Sequence, residues 1–399
     1  MLVSSKSEPR FDTVIVRFGG EIGIKAAWTR RLYERKLIGN IKAFLKQRGI
    51  EHEALNRKFG RLYIRTADAQ ETCQVLNNVF GVSSVSPAIR TTSQLQDIIE
   101  NSVQVAGSAL KEKHTFAVRC RRVGSHPYTS QDVCRTVGQA VLDADAKHRP
   151  RVDLNHPDLS LEVEVREDEA YVFTETLKGP GGLPLGTQPK VVGLLNGDVD
   201  SLVACWMVMK RGCPIIPLHF IEHQQNKQSQ RRVLEAAKTL FKWAPGFPAK
   251  AYVVSHEAYI AEINKSSNST RKLKSVLLRR LTYRVAERLA ETWRAEGIVT
   301  GDSFQKPAGE KLHFFRICDE AATRLPIHRP LIGLDAPEIE ELAERIGVSG
   351  KISVERKRQK VPRISIRGIS LKTVKDAEAK LDVNKMVELS LESLRTVSL

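Results

Sequence analysis

The residues from Leu194 to Ser201 (LLNGDVDS) combine what the binding of an anion requires. Leu194 and Leu195 close an apolar run, Asn196, Gly197 and Asp198 make a tight polar turn, and Asp200 and Ser201 stand where an apolar helical stretch begins, near Ser201. A loop leading from a buried strand into a helix offers backbone N–H groups and the positive end of the helix dipole. In open α/β sheets, ligands collect at this carboxyl end of the strands. The same residue types also build an ordinary strand-to-helix turn with polar caps, and the loop alone leaves both readings open.

A second candidate is basic. Arg119, Arg121, Arg122 and His126 crowd a strand end and the loop after it, and Lys178 stands just before a run rich in Gly and Pro. Such a cluster can reach the phosphates of a nucleic acid, or it is a solvated basic loop. The whole chain points the same way as the first reading. It carries 63 Lys plus Arg against 46 Asp plus Glu, a net charge of +17. An excess of this size favours a polyanionic partner through counterion release, a generally basic surface being the alternative.

The six cysteines, Cys73, Cys120, Cys134, Cys205, Cys213 and Cys318, form no CxxC pair and suit neither a zinc site nor a disulfide scaffold. Most of them read as small buried side chains, and no metal site is indicated. No apolar run approaches the roughly 20 residues of a membrane span. Met1 to Arg10 lacks an apolar signal core, so a cytoplasmic protein is expected.

The elements that must position these residues follow from periodicity. Thr13 to Phe18 and Arg61 to Thr66 read as strands, with a basic helix from Trp28 to Gln47 burying Leu32, Leu37, Ile41 and Phe44. A second α+β unit follows: a helix from Leu95 to Leu110, a strand from Thr115 to Cys120, a helix from Ser130 to Ala144 capped by Ser130, and a hairpin from Leu159 to Thr176. GPGGLPLGTQP (179–189) marks the best boundary. Beyond it, apolar strands at Lys190 to Leu195, Pro214 to Phe220, Ala251 to Ser255 and Gly297 to Thr300 alternate with helices, the pattern of a covered parallel sheet. Lys351 to Arg367 is basic, and a last helix pair is expected from Leu371 to Thr396.

With these motifs in place, the chain resembles the 4-thiouridine synthetases, the ATP-dependent tRNA sulfurtransferases. Asn196 to Ser201 is similar to their pyrophosphate-binding loop, Ser-Gly-Gly-x-Asp-Ser, except that Asn196 replaces the serine and Asp198 the second glycine. TFAVRCRRVGSHPYTSQDVCRTVG, VDLNHPDLSLEVEVREDEAYVF and KGPGGLPLGT resemble the family's THUMP stretch, and RRLTYRVAERLAETWRAEGIVTGDS and LPIHRPLIGLDAPEIEELAERIG its ATP-binding half.

The resemblance implies α+β followed by α/β: an N-terminal ferredoxin-like domain (1–70), a THUMP RNA-binding domain (71–178), a parallel-sheet PP-loop domain (179–350) and a basic helical tail (351–399). It implies adenylation of uridine 8 of tRNA with ATP, then displacement of AMP by sulfur. Asp200 and Ser201 would serve catalysis, and Asn196 and Gly197 the phosphates. Leu194, Leu195, His219 and Phe220 would form the adenine pocket, and Arg279 and Gly301 would contact ribose or phosphate. His219, taken alone, reads as a capped core histidine. Glu310 stands where the family has a glutamine. Asp198 and Glu310 both add negative charge near ATP, which weakens binding unless Mg2+ bridges carboxylate and phosphate. The family's placements of a sulfur-bearing cysteine are empty here. Expected partners are therefore tRNA and an external sulfur carrier or cysteine desulfurase, with no membrane; a homodimer is left open. The alternative is a non-catalytic THUMP-type tRNA-binding protein with a vestigial ATP site.

Overall fold

The computed structural model describes residues 10–58, 60–144, 149–222, 227–304, 311–348 and 369–399, in two compact units, Met1–Gly182 and Leu183–Leu399. Glu310 and the basic run Lys351 to Arg367 lie outside the described residues.

The first unit runs β1 (Thr13–Phe18), α1 (Gly20–Gly23), α2 (Ala27–Arg48), β2 (Ala54–Lys58), β3 (Arg61–Arg65), α3 (Ala69–Leu76), β4 (Val82–Thr92), α4 (Leu95–Ala109), β5 (Thr115–Arg122), α5 (Ser130–Ala144), β6 (Arg151–Val152), β7 (Leu159–Val165), β8 (Glu169–Phe173) and β9 (Leu177–Lys178). Its sheet has the order β2-β3-β1-β4-β8-β7-β5-β6, with β9 also on β4. The long strand β4 serves two halves. Its first part pairs antiparallel with β1, and Ile89 to Thr92 pairs with β8. α4 and α5 cover the second half, where Ile98, Val105, Val133 and Val137 meet Phe116, Leu161 and Val163 in one core.

Two local expectations are corrected. Leu32, read as a buried position of α2, is exposed, and Tyr33 takes the inner place beside Leu37 and Ile41. The cap of α5 is built by Thr129, not Ser130: its backbone N–H and hydroxyl both reach Asp132 Oδ2, and its hydroxyl accepts the Asp132 N–H at 3.2 Å. Thr129 and Asp132 are three apart, the reciprocal spacing of a capping box.

The second unit runs β10 (Lys190–Leu195), α6 (Val199–Lys210), β11 (Ile215–Ile221), α7 (Lys227–Phe241), β12 (Lys250–Ser255), α8 (Glu257–Lys265), α9 (Asn268–Arg271), α10 (Lys274–Trp293), β13 (Ala295–Val299), α11 (Lys311–Asp319), β14 (Ile327–His328), α12 (Ala336–Ile346), α13 (Leu371–Glu378), α14 (Val383–Glu392) and β15 (Arg395–Ser398). The sheet order is β14-β13-β10-β11-β12-β15. All neighbours are parallel except β15, which is antiparallel to β12. Arg395 and Thr396, expected to finish a helix, thus form an edge strand, because the rim of β12 presents unpaired backbone groups that an extended chain satisfies. α13 is held to α10 by Glu378, whose carboxylate accepts Arg280 Nε at 2.8 Å and Arg284 Nη1 at 2.6 Å.

Candidate nucleotide site at the β10–β13 crevice

The chain moves from β10 outward to β11 and β12, then returns to place β13 on the other side of β10. Strand order therefore reverses between β10 and β13, and a crevice opens there at the strands' carboxyl ends. The turn Asn196–Asp198 leaves β10 at this point, and Thr300–Ser303 leaves β13. Gly301 brings the two together: a Cβ on it would stand 2.4 Å from the Ser201 nitrogen and 2.7 Å from the Asp200 carbonyl carbon. No residue with a side chain fits such an approach to backbone.

α6 begins at Val199, two residues earlier than expected, because Asp198 is its N-cap. The Asp198 carboxylate accepts the Ser201 N–H at 2.9 Å and Asn196 Nδ2 at 2.9 Å, and the Asp198 N–H donates to Asn196 Oδ1 at 3.2 Å. The two departures from the family loop thus bond to each other, and one of them occupies an amide of the anion-attracting end of α6. Gly197 carries a φ of +87°, which suits glycine. Asp200 and Ser201 are buried, and the Ser201 hydroxyl donates to the Asp198 carbonyl at 3.0 Å.

Leu195 and His219 sit opposite each other in the β10–β11 register. His219 Nδ1 lies 2.8 Å from the Leu195 carbonyl. A carbonyl only accepts, so Nδ1 carries the proton and Nε2 is left as an acceptor. Burial pushes the imidazole below its ordinary value, the Leu195 carbonyl opposing it, and the ring is neutral at pH 7. Phe220 follows, stacked on His256 at 4.5 Å. Leu194 is buried in the core cluster of the sheet.

Arg279, on α10, pairs with Asp302 at 3.2 Å. Burial raises the Asp302 carboxyl, but Arg279, the Thr300 hydroxyl at 2.8 Å and Arg329 at 3.3 Å outweigh it and hold it below its ordinary value. Arg329 also bonds Asp319 and the Tyr283 hydroxyl. Arg329 and Tyr283 were not singled out in the sequence, and Asp302 entered only as part of the TGDS turn. The four-residue spacing of Arg279 and Tyr283, which puts both on one face of α10, was the available signal.

The thiols near the crevice are core. Cys205 packs on Gly193, where a Cβ would meet its Sγ at 2.6 Å, and burial pushes its thiol up to about 12. Cys318 is likewise buried and pushed up to about 12. Among the described residues no group of three or more His, Cys, Asp or Glu is placed to hold a metal.

On the first unit, β5 extends to Arg122, so its arginines alternate in side. Arg119 and Arg121 share one face, opposite Glu162 and Glu164 in register, while Arg122 falls on the other with Cys120. His126 Nε2 reaches the Arg166 and Glu167 carbonyls at 3.1 and 3.0 Å, which leaves Nδ1 to accept from Arg122 at 3.4 Å. The Gly124 carbonyl accepts the same guanidinium at 3.1 Å. Lys178, exposed, lies on β9 against β4, with β8 and β7 between it and β5. Sequence reasoning missed a buried cluster beside them: Glu164 accepts from Arg17 at 3.1 Å, Arg61 at 3.1 Å and Arg166 at 2.6 Å.

Crevice, turn and helix terminus define a parallel-sheet domain of the nucleotide-binding class; the other unit is built of two linked α+β motifs. The Thiamine biosynthesis protein (ThiI) family matches residues 186–383, the THUMP domain 92–175 and the ThiI ferredoxin-like domain 13–86. A probable tRNA sulfurtransferase of Methanosarcina acetivorans is 37% identical over 340 residues, 84% of this chain and 81% of that protein. Its counterpart in Methanosarcina mazei is 33% identical over 98% of this chain and 97% of its own length. A crystal structure of a 4-thiouridine synthetase–RNA complex with bound ATP superposes with a TM-score of 0.84 at 25% identity, covering 97% of this chain and 99% of the other. The chain belongs to the tRNA sulfurtransferase family, with its ferredoxin-like, THUMP and ThiI domains in order.

Proposed function

We propose that the protein is an ATP-dependent tRNA uracil 4-sulfurtransferase. Uridine 8 O4 attacks the α-phosphorus of ATP and pyrophosphate leaves; the outer sulfur of a donor persulfide then attacks C4 and AMP departs, and a second thiol cleaves the remaining S–S bond, forming a disulfide with the donor and releasing 4-thiouridine. The observation that carries this reading is the approach of Gly301 to the Asp200–Ser201 backbone, which sets the β10 and β13 turns side by side at the crevice. In it, His219 and Phe220 would face adenine, and Asn196, Gly197 and the start of α6 the phosphates. Asp200 and Ser201 would orient the reacting phosphate, and Arg279 would offset charge on it. Mg2+ arriving with ATP would screen the phosphates from Asp198.

The basic side chains Arg119, Arg121, Arg122, His126 and Lys178 are proposed to contact tRNA. Sulfur is proposed to come from a separate carrier or a cysteine desulfurase, since Cys205 and Cys318 are buried with their thiols held protonated. The non-catalytic reading has less support, because Asp198 is accommodated as a helix cap and leaves the turn intact.

The test is single-turnover pyrophosphate release from ATP with unmodified tRNA, which needs no sulfur donor. Release that requires tRNA is expected. No release with tRNA still bound would return the protein to the binding-only class.

A further inference from the structure

The second unit holds a cavity of about 430 Å³ at the amino ends of β10, β11 and β12. Lys190 lines it at the start of β10, and the strand reaches the nucleotide crevice only at Leu195, so the two sites lie at opposite ends of one strand. The volume falls within the roughly 300–1,000 Å³ of small-molecule sites. The wall is apolar. Met209, Leu240 and Ala244 are buried around the ends of α6 and α7, while Tyr252 and Trp293, with ring centroids 4.2 Å apart, line it where α10 ends.

Its charge is one-sided. Lys190, Lys250 and Arg294 line it, all three exposed, and among the described residues no Asp or Glu does. Glu291, three residues before Arg294, is bonded to Arg324 instead. Lys190 and Arg294 are brought together: Lys190 is opposite Ala295 in the β10–β13 register, and its ammonium lies 3.5 Å from the Trp293 carbonyl. Arg294 ends α10 at a φ of +54°, the left-handed position that glycine or asparagine ordinarily fills. An arginine held there costs backbone energy, and such strain collects at ligand sites.

An apolar cavity alone suits a neutral ligand, and a cationic patch without a cavity suits a polyanion. The two together fit a small molecule with an apolar body and one anionic head. We propose that this cavity binds a carboxylate of fatty-acid type. The tail lies against Met209, Leu240 and Ala244, Lys190 and Arg294 take the carboxylate, and Lys250 adds positive charge from the β12 side.

The full chain is titrated by calorimetry with decanoate, decanol and decyltrimethylammonium, which share a tail and differ in head charge. Decanoate is expected to bind at one site, decanol about fivefold more weakly, and the cation not at all. Arg294→Gly removes the guanidinium and relieves the left-handed backbone, so its melting temperature should hold or rise while decanoate affinity falls about fivefold. Ala244→Phe fills the cavity and should abolish binding. Should that variant fail to fold, Arg294→Gly still decides the matter. Equal affinity for decanoate and decanol would overturn the assignment of a carboxylate ligand. Decanoate binding unchanged in Arg294→Gly would remove the anion seat from this cavity, and no binding of decanoate to wild type would overturn the proposal outright.

Discussion

Gly301 lies against the backbone nitrogen of Ser201 so closely that a Cβ would stand 2.4 Å from it. Two turns more than a hundred residues apart in sequence are thereby seated against each other, and the contact excludes every side chain. Gly301→Ala must push the β13 turn away. The expected cost is about 1–3 kcal/mol of stability, as for overpacking elsewhere, with a loss of ATP affinity. Urea unfolding and ATP titration of the variant read both; an unperturbed variant on both counts would refute the role given to this contact.

Asp198 caps α6 through the Ser201 N–H with a full negative charge. Asp198→Asn keeps a capping oxygen and removes the charge, so it should bind ATP about two- to fivefold more tightly, the size of one charge at a helix terminus. Asp198→Gly should gain less, since it also loses the cap. Calorimetric titration at low Mg2+ checks the order of the three proteins.

Asp200 is 2% exposed beside the start of α6. Asp200→Ala should abolish tRNA-dependent pyrophosphate release while tRNA affinity stays within about threefold, the pattern of a group needed for the reaction and not for the grip. Normal release by this variant would argue against the catalytic assignment.

Glu164 answers three arginines, Arg17, Arg61 and Arg166. Glu164→Gln leaves those cations facing each other in a largely buried site. A loss of about 3 kcal/mol is expected, at the low end for a broken buried ion pair because Arg17 keeps some solvent. Chemical denaturation of the variant gives the value.

His256 is buried against Phe220, and burial pushes its imidazole from 6.5 down to about 3. The unfolded chain takes up this proton at a pH where the folded one refuses it. Stability from this group is therefore complete above 6.5 and declines as pH falls toward 3, at a slope approaching about 1.4 kcal/mol per pH unit. His256→Gln should flatten that decline. Between 6.5 and 4.5 the comparison is clean of Asp302 and Glu378, whose lowered carboxyls give up their contribution only below their ordinary values of 3.8 and 4.5.

What local chemistry decides was legible in the residues alone. The alternation of VVGLL with helix, the Gly and Pro run at 179–189 and the polar turn at Asn196 each reflect backbone preference and burial over a few neighbours. They marked the domain order and the loop, and the quoted motifs marked the family. Tertiary structure decided the rest. Leu32 and Tyr33 are adjacent in sequence, and only the docking of α2 determines which is buried. Arg279, Arg280 and Arg284 look alike on the page, yet one goes to Asp302 and the other two to Glu378, because the partners come from distant elements. Thr396 became a strand because β12 offered it an edge. Asp198, a misfit beside the family loop, became a helix cap once the turn had closed around it. Each of these outcomes depends on which remote group arrives, and that information lies in the packing of the whole chain and not in any window of it.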